Sequence, residues 1–273
     1  MALFELNSSS PSLQGAHTTH IIVPDVPYGE SPKAFYESNK KFKVLWLLHG
    51  GSDDSSTWVR KTKIETYACE RNLIVVMPSA SNSRYSNCQL FGNDYNAFDY
   101  LTEELMPMIY NWYPASDRRE DNYISGFSMG GEGALKYAVN HPDKFAGVAV
   151  LGAAAQDYYH MDHDRPLYRK YMEIFPSFEA FAASYENLWD RLADLKDSPV
   201  CPDIFGACGT SDNLAYEAFK GFRQRTEELG LRSHFETIDG YGHEWRFVDI
   251  FIERALDYFG LNGTLDRWVK PMG

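Results

Sequence analysis

Positive charge is scarce in this sequence: 26 Lys and Arg stand against 38 Asp and Glu in 273 residues, a formal net charge of -12. No basic stripe interrupts that balance, and a protein without one cannot displace the counterions of a phosphate backbone, so no nucleic-acid partner is expected. Long apolar runs are missing too. None approaches the roughly 18 residues of a membrane span, and Met1 to Ser10 lacks the basic start and apolar core of a secretory signal, so a cytoplasmic protein with no membrane partner is expected. The four cysteines, Cys69, Cys88, Cys201 and Cys208, form no C-x-x-C pair. Cys69 falls in a predicted helix and Cys208 at the end of a predicted buried strand, which suits packed thiols better than a disulfide frame. His160-Met161-Asp162-His163-Asp164 resembles a metal cluster, but no second His or Cys pair lies at ligand spacing elsewhere, so it reads as a solvated polar loop. No metal and no cofactor are expected.

What is present is an ordinary globular composition, 44% hydrophobic and 23% charged, with an aromatic content of 15% that asks where the rings go. Length allows one large α/β domain over residues 1–273. Residues 2–24 read as two strands with a Ser-rich turn, edge strands that begin the sheet antiparallel. Apolar runs at 44–48, 73–77, 145–151 and 204–208 have the continuous hydrophobicity of strands covered on both faces. Helical periodicity fills 57–71, 95–112 (with a kink expected at Pro107), 132–141, 214–229 and 245–259. Alternating strands and helices predict a mostly parallel twisted sheet with helices on both faces.

The chemistry centres on Gly126-Phe127-Ser128-Met129-Gly130-Gly131, between a short strand and a helix. A serine hydroxyl is a poor nucleophile unless it is lifted clear of the backbone, given a base and placed near oxyanion donors. The G-x-S-x-G arrangement supplies the first need, and Met129, opening the helix, would offer its N–H to the oxyanion. A solvated serine on a glycine-rich turn would have the same five residues. Three further sites decide the matter.

The strand at 44–48 ends in His49-Gly50-Gly51, and Gly51 N–H is the candidate second oxyanion donor; His49 is expected to hold the loop by hydrogen bonds. The strand at 204–208 ends in Gly209-Thr210-Ser211-Asp212, where an aspartate could simply cap the next helix. The last strand is followed by Gly240-Tyr241-Gly242-His243-Glu244-Trp245. Ser128, Asp212 and His243 each lie just beyond a strand's carboxyl end, in the chain order Ser, Asp, His that sets α/β-hydrolases apart from the chymotrypsin and subtilisin arrangements. His243 would take the Ser128 proton and Asp212 would fix its ring.

Two segments carry expectations about substrate. Residues 79–93 form an aperiodic polar loop at the same sheet edge, with Asn82, Arg84, Tyr85, Asn87 and Asn93, and Tyr85 is the candidate contact. Residues 156–197 break the alternation, hold nine aromatic residues and two short helical patterns, and read as a cap inserted over the site, or as a longer crossover whose rings only pack on the sheet. With Trp245, these rings suggest a pocket that stacks an aryl or sugar ring.

The run Val44 to Gly51 with its His-Gly, Leu73 to Pro78 followed by Ser and later Ser-Asn, the Ser128 elbow, Gly209-Thr-Ser-Asp and His243-Glu-Trp245 together resemble the esterase D group of α/β-hydrolases. That group includes bacterial tributyrin esterases, S-formylglutathione hydrolases, feruloyl and acetyl xylan esterases and mycolyl transferases. The resemblance covers roughly residues 44–259 and implies a serine carboxylic ester hydrolase acting on short-chain acyl esters, with acetylated or feruloylated sugars within its range. It puts the triad on Ser128, Asp212 and His243 and the oxyanion donors on Gly51 and Met129. The same triad serves an acyltransferase or an S-formylglutathione-type thioesterase, and a binding protein on a hydrolase fold is the reading from outside catalysis. Gly51 departs from the larger side chains common in the group, which alters the acyl pocket but keeps the backbone donor.

Overall fold

The computed structural model describes residues 1–27, 29–90 and 93–263. Its strands are β1 (Ala2–Ser10), β2 (Gly15–Val23), β3 (Lys43–Leu48), β4 (Leu73–Pro78), β5 (Asn87–Leu90), β6 (Asn93–Asn96), β7 (Asn122–Phe127), β8 (Gly147–Leu151), β9 (Asp203–Gly209) and β10 (Ser233–Ile238). Eight of them form one sheet in the order β1-β2-β4-β3-β7-β8-β9-β10, and β5 and β6 make a separate hairpin. Pairing from β4 to β10 is parallel; β2 pairs antiparallel with both β1 and β4, so it alone runs against the rest. The expected antiparallel start is therefore present, but only β1 is an edge.

The helices are α1 (Pro32–Tyr36), α2 (Thr57–Lys61), α3 (Ile64–Arg71), α4 (Ala97–Asp99), α5 (Met106–Trp112), α6 (Met129–Asn140), α7 (Pro166–Ile174), α8 (Phe178–Ala182), α9 (Leu188–Asp194), α10 (Tyr216–Glu228) and α11 (Trp245–Tyr258). Strand side chains alternate between two apolar layers, as a period of two requires. Val44, Trp46 and Leu48 pack on one face with residues of α6 and α10, and Leu45 and Leu47 on the other with α3 and α11.

Two expected helices differ from their predicted form. The segment 57–71 breaks at Thr62, which is extended; its hydroxyl donates to Trp58 O at 2.7 Å and accepts from Ile64 N at 3.2 Å, so the side chain takes over bonds the backbone would make. The segment 95–112 starts later, because 93–96 pairs with 87–90. Between α4 and α5 the chain widens into a π-helical stretch, Tyr100–Leu105, closed by Met106 N–H donating to Leu101 O. Pro107, which lacks an N–H, follows at once, so the expected kink takes the form of a wide turn.

The insertion holds three helices, α7, α8 and α9, rather than two. Tyr158, Met161, Tyr171 and Phe181 form a satellite cluster of their own, whereas Leu188 and Leu192 of α9 join the main core. Most of its rings pack on one another or on the body: Tyr158 on Phe181, Tyr171 on Phe181, Tyr185 on Phe98. No helix among the described residues is long and apolar enough to cross a membrane.

Candidate active site

The elbow is held by backbone contacts. Ser128 has φ +56° and ψ -120°, a conformation that side chains rarely adopt and that persists only where the surroundings impose it. They do so here through two glycines. A Cβ on Gly126 would lie 2.2 Å from Gly130 O, and one on Gly130 would lie 2.3 Å from Leu48 O. Ser128 N–H donates to Leu151 O at 2.9 Å and Ser128 O accepts from Glu132 N at 3.0 Å, fixing the turn to β8 and α6.

The three side chains singled out in the sequence meet. His243 Nε2 lies 2.7 Å from Ser128 Oγ, and His243 Nδ1 lies 2.7 Å from Asp212 Oδ2. Asp212 is 2% exposed, and its other oxygen accepts from Leu214 N at 2.9 Å and Ala215 N at 3.0 Å. The capping role and the histidine-holding role are thus both real, one per carboxylate oxygen. Burial alone would raise the Asp212 carboxyl, but the His243 hydrogen bond and charge and the two amides outweigh it and hold the group below the ordinary carboxylate range. With Asp212 ionised, Nδ1 carries the ring proton and Nε2 is left to accept from the Ser128 hydroxyl.

Gly51 and Met129 face the same cleft as Ser128, about 410 Å³ in volume. Met129 is the first residue of α6, where N–H groups have no acceptor within the helix. The Gly51 loop is tied down by its neighbours. His49 is 1% exposed; Nδ1 donates to Gly50 O at 2.7 Å and Nε2 accepts from Ala80 N at 2.9 Å. Burial lowers its pKa, which keeps the ring neutral and the acceptor available. Asn82 Oδ1 accepts from Ser52 N at 2.7 Å.

The two substrate contacts chosen in the sequence lie outside the cleft. Tyr85 is 2% exposed, its ring fills the space beside Gly133, and its hydroxyl donates to His49 O at 3.1 Å. It is a core anchor for the loop. Its neighbours Asn82 and Arg84 line the cleft instead. Trp245 packs edge-on against Trp58 at 5.0 Å and Phe127 at 5.2 Å, behind His243, and Lys61 lies over its ring. Among the described residues no Phe, Tyr or Trp ring lines the cleft: the insertion contributes Gln156, Leu167 and Lys170. His160 is exposed and its Nδ1 sits 2.8 Å from Asp157, while His163 stacks on Tyr168.

A second cluster beside Ser128 was not anticipated. Arg84 pairs with Glu132, four residues after the nucleophile, and Tyr171 donates to Glu132 at 3.2 Å. Lys136, fully buried, reaches Glu186 at 2.7 Å, Ser86 Oγ at 2.6 Å and Arg84 O at 3.0 Å. Two cations and two carboxylates thereby join α6, the 79–86 loop and the insertion. Burial would raise the Glu132 carboxyl, but the Arg84 and Lys136 charges prevail and lower it. Glu132 and Lys136, spaced i and i+4, look in sequence like a solvated helix pair. Only their place on a helix buried on nearly every side marks them out.

Comparison with known proteins agrees with this geometry. The family model described as "Putative esterase" matches residues 30–237. The chain is 27% identical to an acetyl esterase of Caldicellulosiruptor saccharolyticus, covering 94% of this chain and 98% of that protein. Among solved structures, the Staphylococcus aureus fluorophosphonate-binding serine hydrolase FphF, in a substrate-bound state, is 30% identical with a TM-score of 0.79, covering 96% of this chain and 98% of the other. The S-formylglutathione hydrolase of Staphylococcus aureus is 29% identical with a TM-score of 0.77, covering 96% and 99%. The architecture is the α/β-hydrolase fold.

Proposed function

Because the chain belongs to this esterase family and is a serine carboxylic ester hydrolase, we propose that it cleaves short-chain acyl esters, acetyl before longer chains, through an acyl-enzyme on Ser128. The observation that carries the reading is the pair of 2.7 Å contacts that link Ser128 to His243 and His243 to Asp212. In the first half-reaction the Ser128 oxygen attacks the ester carbonyl as His243 takes its proton. The negative charge forming on the carbonyl oxygen is met by the Gly51 and Met129 amides, each worth about 3 kcal/mol of barrier by analogy with other oxyanion donors. Collapse expels the alcohol, which takes the proton from His243. Water then repeats the sequence, with His243 as base, and frees the acid and the serine.

Among the described residues the cleft's lining sets the polar and charged Asn82, Arg84, Glu132 and Lys170 against apolar surface from Met129, Leu167, Leu214 and small alanines. Esters of acetylated or feruloylated sugars fall within the same reading. Ser128→Ala tests it: turnover of p-nitrophenyl acetate should fall by about 10⁶, with an unchanged thermal midpoint. A variant that kept its activity would remove Ser128 from the mechanism. Thioester cleavage of the S-formylglutathione kind is the second reading, favoured by the 29% identical hydrolase and by the cationic Lys170 and Arg84 in the cleft. A kcat/KM for S-formylglutathione above that for p-nitrophenyl acetate would promote it.

A further inference from the structure

Phe127, the residue before the nucleophile, ends β7 and is 4% exposed. Its ring lies against the His243 imidazole in a tilted stack, with centroids 4.6 Å apart and planes inclined by 32°. The seat for this ring is bounded on three sides. Gly152 has φ +56°, and a Cβ there would come within 2.7 Å of the Phe127 ring and 3.4 Å of His243 Cε1. Gly50 borders another side, where a Cβ would lie 3.7 Å from the ring. Trp245 closes the third, edge-on at 5.2 Å.

His243 is held at two edges, by Asp212 at Nδ1 and by Ser128 at Nε2, each at 2.7 Å. Two edge bonds leave a ring free to tilt about the line between them, and a contact on its face removes that freedom. The loop itself is fixed ahead of the histidine: Tyr241 O accepts from Ser211 N at 3.0 Å, and Gly240 N donates to Thr210 Oγ1 at 3.2 Å. The face contact has a second property. An aromatic face carries negative charge and attracts a cation. His243 is neutral while it waits for the Ser128 proton and cationic once it holds it, so the attraction is stronger in the transition state than before it. Only interactions of that kind speed the chemical step.

We infer that Phe127 is a positioning residue for the reaction: its ring aligns His243 with the Ser128 hydroxyl and steadies the imidazolium that forms as the proton moves. A leucine would fill much of the same buried space, yet it offers no π face. The charged groups that share the region are Asp212 on Nδ1, Glu244 next in the chain, and Arg84, Glu132 and Lys170 on the cleft walls. A change confined to the Phe127 ring leaves all of them in place. The inference rests on the reading of Ser128 as nucleophile and His243 as its base, and adds a residue that acts through His243.

Fluorine withdraws charge from the face of a ring while changing its size little, so mono-, tri- and pentafluorinated phenylalanine at position 127 grade the attraction. The kcat/KM for p-nitrophenyl acetate should fall stepwise along the series, by about tenfold at its end, with thermal midpoints near that of the parent. Should the pentafluorinated ring crowd Gly152, the first two steps carry the same order. Phe127→Leu, which keeps most of the bulk and lacks the face, should lose at least as much as the last step. Labelling of Ser128 by a fluorophosphonate uses the same proton transfer and needs no particular ester, so its rate should fall in the same order. A flat series with a loss confined to Phe127→Leu would overturn the inference, because packing alone would then account for the ring. So would losses that follow the thermal midpoint instead of the fluorine number. A parent that is labelled but does not turn over p-nitrophenyl acetate fails the short-ester reading alone, and the labelling series then decides the role of Phe127. A parent labelled no faster than Ser128→Ala overturns both.

Discussion

Two groups of buried charge flank Ser128, and they are built for opposite purposes. On one side stand Asp212 and His243, a carboxylate and the ring that, in the proposed mechanism, takes and returns the Ser128 proton. On the other stand Arg84, Lys136, Glu132 and Glu186, two cations and two anions that neutralise one another. Both groups lean on a carboxyl held below its ordinary range. In the first, backbone amides and a histidine hold it there, so a proton can move next to it. In the second, fixed cations do so, and nothing is left to move. In the proposed mechanism the first group does the chemistry, while the second fastens the insertion to α6, just beyond Ser128.

The largest effect should come from breaking the first group alone. Asp212→Asn keeps an oxygen for the Leu214 and Ala215 amides but favours the wrong His243 tautomer, and kcat for p-nitrophenyl acetate should fall by about 10⁴, with the thermal midpoint within a few degrees of the parent. Next comes the second group. Lys136→Met leaves Glu186 as an uncompensated buried charge, and urea unfolding should show a loss of about 3–5 kcal/mol. Adding Glu186→Leu should recover most of it, because the pair as a whole contributes little beyond an apolar replacement. A double variant as unstable as the single one would mean the network does more than neutralise itself.

The smallest effect separates the groups by pH. The Glu132 carboxyl is lowered by Arg84 and Lys136, so in acid the unfolded chain binds the proton first. Its contribution to stability is complete above about pH 4.3, the ordinary glutamate value, and is lost as pH falls through the lower folded value. Urea midpoints taken at pH 7, 4 and 3 should drop at the acid end, and less steeply in Glu132→Gln. An identical slope in the variant would show that the fixed cations do not set the acid limit.

The sheet, the elbow and the meeting of Ser128, Asp212 and His243 were legible because each part has a local signature. Continuous apolar runs mark β3, β4, β8 and β9, the glycines around Ser128 mark a close backbone approach, and the loops carrying Asp212 and His243 follow strands. The substrate walls had no such signature. Tyr85 sits in a polar loop, and nothing nearby in the chain shows that its ring turns inward against Gly133, a contact across 48 positions. Trp245 is next but one to His243, yet its ring belongs to Trp58 and Phe127. The aromatic insertion misled in the same way. A ring count states how much surface must be buried, and here most of it is buried against other rings. Composition does not say which side of a helix turns toward solvent.

The fit of Gly130 beneath Leu48 has a consequence for how such an enzyme can diversify. Main-chain atoms set the backbone of the Ser128 turn, and of the described loop side chains only His243 bonds its hydroxyl, so the rest of the surrounding loops carry no part of that task. Those loops are free to change from one relative to the next, reshaping the walls for a new ester while the attacking atom stays where it was.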